Sequence, residues 1–240
     1  IMWGKMGIQR SKVFLADKLW DTEHGDVETG CRRTLRKLQV DYLDLYLVHW
    51  PISLKPSAED PLVAEGELTG HPVRQDVPLE QVWAQMEALV RKGLVKSIGA
   101  CNLTLPMLER ILKTCSIKPA VLQIECHRWH QRDDLVNYCR EHDIQVQAYS
   151  PLGTNLLLND PLVVEIAKNH KASPAQVLLA FARQRNLLYL FKTGHPDRLR
   201  ENLQEITLTE EDINKLRAMN KDKNLFHPSQ WYGESFKNWP

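Results

Sequence analysis

Several polar side chains stand at or just past the ends of short apolar runs: Lys18, His49, Asn102, Tyr149, Ser150, Lys192 and Thr193. A lysine stabilises a developing oxyanion, and a histidine orients a reacting group or moves a proton. The amide of Gln123, inside "VLQIEC", offers both donors and an acceptor, and the ring of Tyr149 offers a face to a flat heterocycle. In "KTGHPDRLRENL", Thr193 and Gly194 lead to Pro196 near a predicted helix start, where unpaired backbone N–H groups attract anions. Lys192, Arg198 and Arg200 add positive charge there, and Arg198 is unfavourable in a first turn unless an anion compensates it. Each residue alone has a plainer explanation: a packed histidine, a lysine turned to solvent, a solvated basic helix, an aromatic or amide of the core. Elements that bring them to one face would favour the chemical explanation.

The periodicity predicts such elements. Buried-type strands are expected over 13–20, 43–49, 97–102, 121–126, 144–150 and 187–193. Between them lie segments with helical spacing: "DVETGCRRTLRKLQ", capped at Asp26; "PLEQVWAQMEALVRKG", ending at Gly93; and a further series of which several open with Thr, Ser or Pro. Repeated βα alternation argues for an α/β chain with a parallel sheet wrapped by helices. In a parallel barrel every strand ends on one face, which gathers the polar residues into a single pocket; Lys18 and His49 would then lie about one strand spacing apart. Eight strands close such a barrel and six are visible, so two units are expected to be missing. An open doubly wound sheet explains six strands without truncation, but no GxGxxG follows the first. Residues 51–77 form one long proline-rich connection without sustained periodicity, of the kind that serves as a lid or binding loop or stays disordered.

Composition narrows the partners. The 240 residues read as one domain, 1–240, and 31 Lys plus Arg nearly cancel 30 Asp plus Glu, so no global field draws the chain to nucleic acid or a membrane. Five cysteines form no CxxC pair and lie mostly within or beside apolar runs, which suits buried thiols in a reducing, cytoplasmic setting. "HRWH" sets His127 and His130 at a spacing possible for a metal, yet the strand ends supply no convergent carboxylates; a GxSxG nucleophile elbow is absent from the sequence. No metal is expected.

In order and spacing, "LDLYLVHWP", "KGLVKSIGACN", "LQIECHRWHQRDDLVNYC", "QAYSPLG" and "KTGHPDRLREN" resemble the aldo-keto reductase family from Val13 to about Met219. The resemblance implies a (β/α)8 TIM barrel whose first two βα units are missing from this chain. It also implies NADPH-dependent reduction of aldehydes or ketones to alcohols. Lys18 matches the lysine that lowers the pKa of the family's tyrosine proton donor, and His49 the histidine that orients the carbonyl. Asn102 and Gln123 match residues that bind the nicotinamide carboxamide, and Tyr149 the ring stacked beneath it. Ser150, Leu152 and Thr154 match the loop beside the pyrophosphate. Lys192, Thr193 and Arg198 match the group around the 2′-phosphate, which implies NADP over NAD, with Glu201 and Asn202 near the adenine. Trp20 and Trp50 fall where the family lines its substrate pocket.

Departures from the pattern are Cys101 in place of a serine before Asn102, and "LFKTG" in place of "IPKS". The family's catalytic tyrosine and its partner aspartate belong upstream of Ile1. Their absence leaves a second reading, a non-enzymatic NADP-binding protein of the same fold. A small-molecule carbonyl substrate and a monomeric full-length protein are expected. The long loop and the tail aromatics Trp231, Tyr232, Phe236 and Trp239 are candidates to shape the substrate pocket.

Overall fold

The computed structural model describes residues 5–67, 71–227 and 229–232, so Phe236 and Trp239 lie outside the described residues. The chain divides into two compact units, Ile1–Leu122 with Pro228–Pro240, and Gln123–His227. Six strands are present among the described residues, each within or overlapping a segment where the periodicity predicts one.

In the first unit, β1 (Ala16–Leu19), β2 (Leu43–Val48) and β3 (Val95–Cys101) pair in parallel, and α1 (Val27–Leu38), α2 (Leu79–Arg91) and α3 (Leu105–Thr114) connect and follow them. Every residue of β2 is buried, as a strand covered on both faces requires. Its one charge, Asp44, is tolerated because the carboxylate accepts from Leu15 N at 2.9 Å and pairs with Arg10 and Lys96. Helix α1 begins where the Asp26 side chain accepts from Thr29 N and ends at Gln39, whose φ of 52° breaks the helix.

Register sets the faces. Lys18 pairs with Leu47, and Leu47 with Gly99, so Ala16, Lys18, Leu45, Leu47 and Gly99 share one side of the sheet. Gly99 is required at its position: a Cβ there would meet the Val121 carbonyl oxygen at 2.3 Å and Leu47 Cδ2 at 2.6 Å. The long connection after β2 is ordered where it is described. It folds back on itself through antiparallel bridges, Leu54 with Arg74 and Pro56 with Ala64, over a small core of Trp50, Ile52, Leu54 and Ala64.

The second unit holds β4 (Val121–Glu125) from Gln123 onward, and β5 (Gln145–Tyr149) paired in parallel with β6 (Leu188–Leu190). Helices α4 (Asp133–Glu141), α5 (Pro161–Asn169), α6 (Pro174–Gln184), α7 (Pro196–Asn202) and α8 (Glu210–Arg217) complete it, and the short α9 (Ser229–Tyr232) belongs to the first unit. Its core joins Leu157, Val163, Ile166, Val177, Phe181 and Leu216. Capping boxes fix two helix starts, Ser173 with Gln176 and Thr209 with Asp212.

Candidate active site

Two groups of side chains emerge, one in each unit. In the first unit, the sheet that aligns Lys18 with Leu47 carries on to His49, whose N–H donates to Leu19 O at 3.2 Å. Lys18, one residue before the end of β1, and His49, directly after β2, therefore lie near the ends of adjacent strands. The imidazole sits between two indoles, its ring centroid 5.1 Å from Trp20 and 6.4 Å from Trp50. Its Nδ1 is buried and has no hydrogen-bond partner among the described residues. Burial, and secondly the Lys18 charge, lower the His49 pKa to about 4. His49 is thus neutral at neutral pH, with one N–H to donate and one lone pair to accept.

The groups around it are held by backbone partners. Asn102, just after β3, takes a left-handed φ of 59° and donates from Nδ2 to His49 O at 2.9 Å, which ties the end of β3 to the end of β2. Trp20 donates from Nε1 to Leu62 O, so the long connection is fastened to the indole that faces the histidine. Trp50 is only 8% exposed, with its ring in the core of that connection, so Trp20 is the more accessible of the two aromatic residues assigned to the substrate pocket. Sequence reasoning passed over Asp21. This carboxylate is fully buried and accepts from Trp50 N, bracing the backbone beside His49. An acidic residue directly after "KLW" in an apolar setting was the only signal it gave.

The second unit gathers Gln123, Tyr149 and the loop behind them. Gln123 is buried and donates to Gln147 Oε1 at 2.6 Å, a partner legible only as alternation in "QVQAY". Tyr149 is half-buried at the end of β5. Beyond it the chain turns through residues with positive φ, Ser150 at 52°, Gly153 at 55°, Thr154 at 52° and Asn155 at 70°. At Gly153 the turn leaves no room for a side chain, because a Cβ would lie 2.6 Å from Leu157 Cγ. This loop and the end of β6 enclose a pocket of about 320 Å³ lined by Ser150, Leu152, Thr154, Asn155, Phe191 and Lys192, among others. Its dimensions and its mixture of a hydroxyl-bearing turn with a lysine suit a phosphorylated ligand.

The remaining predicted residues lie apart from that pocket lining. Thr193 accepts from His195 N and leads into α7, where Arg198 is exposed. Glu201 is half-buried, its carbonyl accepting from Gln176 Nε2, and Asn202 is buried. With seven residues, α7 is only about two turns long and its dipole is correspondingly weak. Positive charge at this place is carried by the exposed Lys192 and Arg198 side chains. No group of three or more His, Cys, Asp or Glu residues able to hold a metal occurs among the described residues. No helix among them is long and apolar enough to cross a membrane.

The model of the aldo/keto reductase family matches residues 4–221. Aldo-keto reductase family 1 member A1 of Bos taurus is 36% identical over an alignment covering 94% of this chain and 72% of that protein, and the Homo sapiens protein of the same name is 35% identical over 92% and 71%. Among solved structures, the aldose reductase of Schistosoma japonicum superposes with a TM-score of 0.89 at 37% identity, over 99% of this chain and 78% of that one. The aldose reductase of Giardia lamblia gives 0.85 at 34% identity, over 94% and 78%.

Proposed function

The chain belongs to the aldo/keto reductase family and has its fold, with six of the strands of the family's barrel, and on that premise we propose that it reduces aldehydes or ketones to alcohols with NADPH. Carbonyl reduction in general is what its relatives support; the cofactor, the residues and their roles are our reading.

The observation that carries it is the neutral His49, held between aromatic rings at a strand end beside the charge of Lys18. A neutral imidazole donates a hydrogen bond to a carbonyl oxygen without competing for its proton, and so orients the substrate. Lys18 stabilises negative charge that develops on that oxygen. The family resemblance assigns the proton donor itself to a tyrosine that none of the matched positions here supplies, and Lys18 would lower that group's pKa. Trp20 and the long connection fastened to it would exclude water from the carbonyl.

When bound, the nicotinamide supplies the hydride. Asn102 and Gln123 would take its carboxamide and Tyr149 its ring. Ser150, Leu152 and Thr154 would take the pyrophosphate, with Lys192, Thr193 and Arg198 at the 2′-phosphate and Glu201 and Asn202 at the adenine. The pocket behind Tyr149 fits such a phosphate group, and the two cations favour NADPH over NADH. All five cysteines are free, four of them buried, in keeping with a reducing, cytoplasmic setting.

Tryptophan quenching of the purified chain tests the proposal directly. Saturable binding with preference for NADPH over NADH is expected, followed by aldehyde-dependent oxidation of NADPH that His49→Gln lowers by about 10²-fold or more. Absence of saturable binding overturns the cofactor assignment. Binding without turnover supports the second reading, a nucleotide-binding protein without chemistry.

A further inference from the structure

Glu125, at the end of β4, is a buried carboxylate with no role in the reaction just described. It is 4% exposed, and burial of a charge is costly unless its oxygens are satisfied. Three donors satisfy them: Leu225 N at 2.7 Å, Phe226 N at 3.1 Å and His127 Nε2 at 2.8 Å. Two of the three come from the segment after α8, about a hundred residues further along the chain.

That segment is fastened along its length to the turn following β4. Gln131 N donates to Asn220 Oδ1, and the backbone N–H groups of Lys221 and Lys223 both donate to Trp129 O at 3.0 Å, with the Lys221 ammonium over the Trp129 ring. Glu125 anchors the segment further along, at Leu225 and Phe226. Directly beyond it, the Phe226 ring meets Tyr149 edge to face, with centroids 5.8 Å apart and planes at 73°. An aromatic contact of this geometry fixes the orientation of a ring that would otherwise pivot.

We propose that Glu125 is a positioning residue: through the Leu225 and Phe226 amides it seats Phe226 against Tyr149 and thereby presets the Tyr149 ring for a nicotinamide. The inference rests on the assignment of Tyr149 to the nicotinamide made above. Ordering that ring before the ligand arrives removes part of the entropic cost of binding. Glu125→Gln keeps the shape but exchanges one acceptor oxygen for a donor, so at least one of the two amides loses its partner.

Two measurements on the full chain test it. Without ligand, hydrogen exchange at the Leu225 and Phe226 amides is slow in the wild type and accelerates in E125Q; fast exchange in the wild type, or none of this acceleration, refutes the anchor. With ligand, E125Q weakens NADPH by about 2- to 12-fold, the range that an edge-to-face contact spans. Adenosine 2′,5′-bisphosphate, which lacks the nicotinamide, binds both proteins equally. Phe226→Ala shows the same split, and the double variant adds little to either. Equal weakening of both ligands, or full additivity, refutes the positioning role. Failure of the wild type to bind NADPH at all would overturn the cofactor reading instead, and the exchange data would still report on the anchor.

Discussion

Acid should loosen the first unit well before its carboxylates protonate, because two of its histidines are held neutral. His24 and His49 both have pKa values lowered from 6.5 to about 4, chiefly by burial. For His24 the geometry explains why. Ser53 Oγ donates to Val77 O, so it accepts from His24 Nδ1–H at 2.9 Å, and the bare Nε2 is buried with no hydrogen-bond partner among the described residues. A second proton would place an uncompensated charge there. A folded pKa below the unfolded one means that the unfolded chain binds protons first as pH falls. The stabilisation is therefore complete above pH 6.5 and is lost progressively down to about pH 4. At pH 5.5 each residue forfeits roughly 1 kcal/mol relative to pH 7.5, and the pair roughly 2–3 kcal/mol. Urea unfolding followed by tryptophan fluorescence at the two pH values should show a midpoint lower by about 1 M or more in acid. In His24→Gln and His49→Gln the pH-dependent loss should shrink by roughly 1 kcal/mol apiece. Refutation is simple to recognise: the double variant loses as much stability between pH 7.5 and 5.5 as the wild type does.

Two further outcomes follow from particular contacts. Gly99→Ala should cost about 2–3 kcal/mol and lower Tm by roughly 4–12 °C, since the Cβ would meet the backbone carbonyl of Val121 as well as the movable Leu47 side chain; an unchanged melting curve would show that the strands part without cost. Lys192→Gln combined with Arg198→Gln should reduce NADPH affinity by about 10-fold or more and leave NADH within about 2-fold, measured by fluorescence titration; equal losses for both nucleotides would remove these cations from the 2′-phosphate.

The elements were legible because local patterns dictate them. Asp26 before an apolar-periodic run caps α1, and the unbroken apolar stretch from Leu43 to Val48 makes a strand buried on both faces. The adjacency of Lys18 and His49 was legible for a related reason: each stands at or near the end of such a stretch, and parallel register brings neighbouring strand ends together. Order in the described parts of the connection from Pro51 to Val77 was not legible. Its bridges join Leu54 to Arg74 and Pro56 to Ala64 without a repeating pattern, and its core depends on Trp50.

Asp21 and Glu125 mark the sharper boundary of sequence reading. Each is a single carboxylate next to an apolar run, and nothing local distinguishes it from a solvated charge. What makes them structural is the donor that meets them in space: Trp50 N for Asp21, and the Leu225 and Phe226 amides for Glu125. Backbone amides carry no sequence signal, since every residue but proline has one. A buried acid that accepts from a distant main chain is therefore invisible in sequence and costly to remove in structure, and in both cases here it braces the backbone beside a proposed active-site ring, His49 in one unit and Tyr149 in the other.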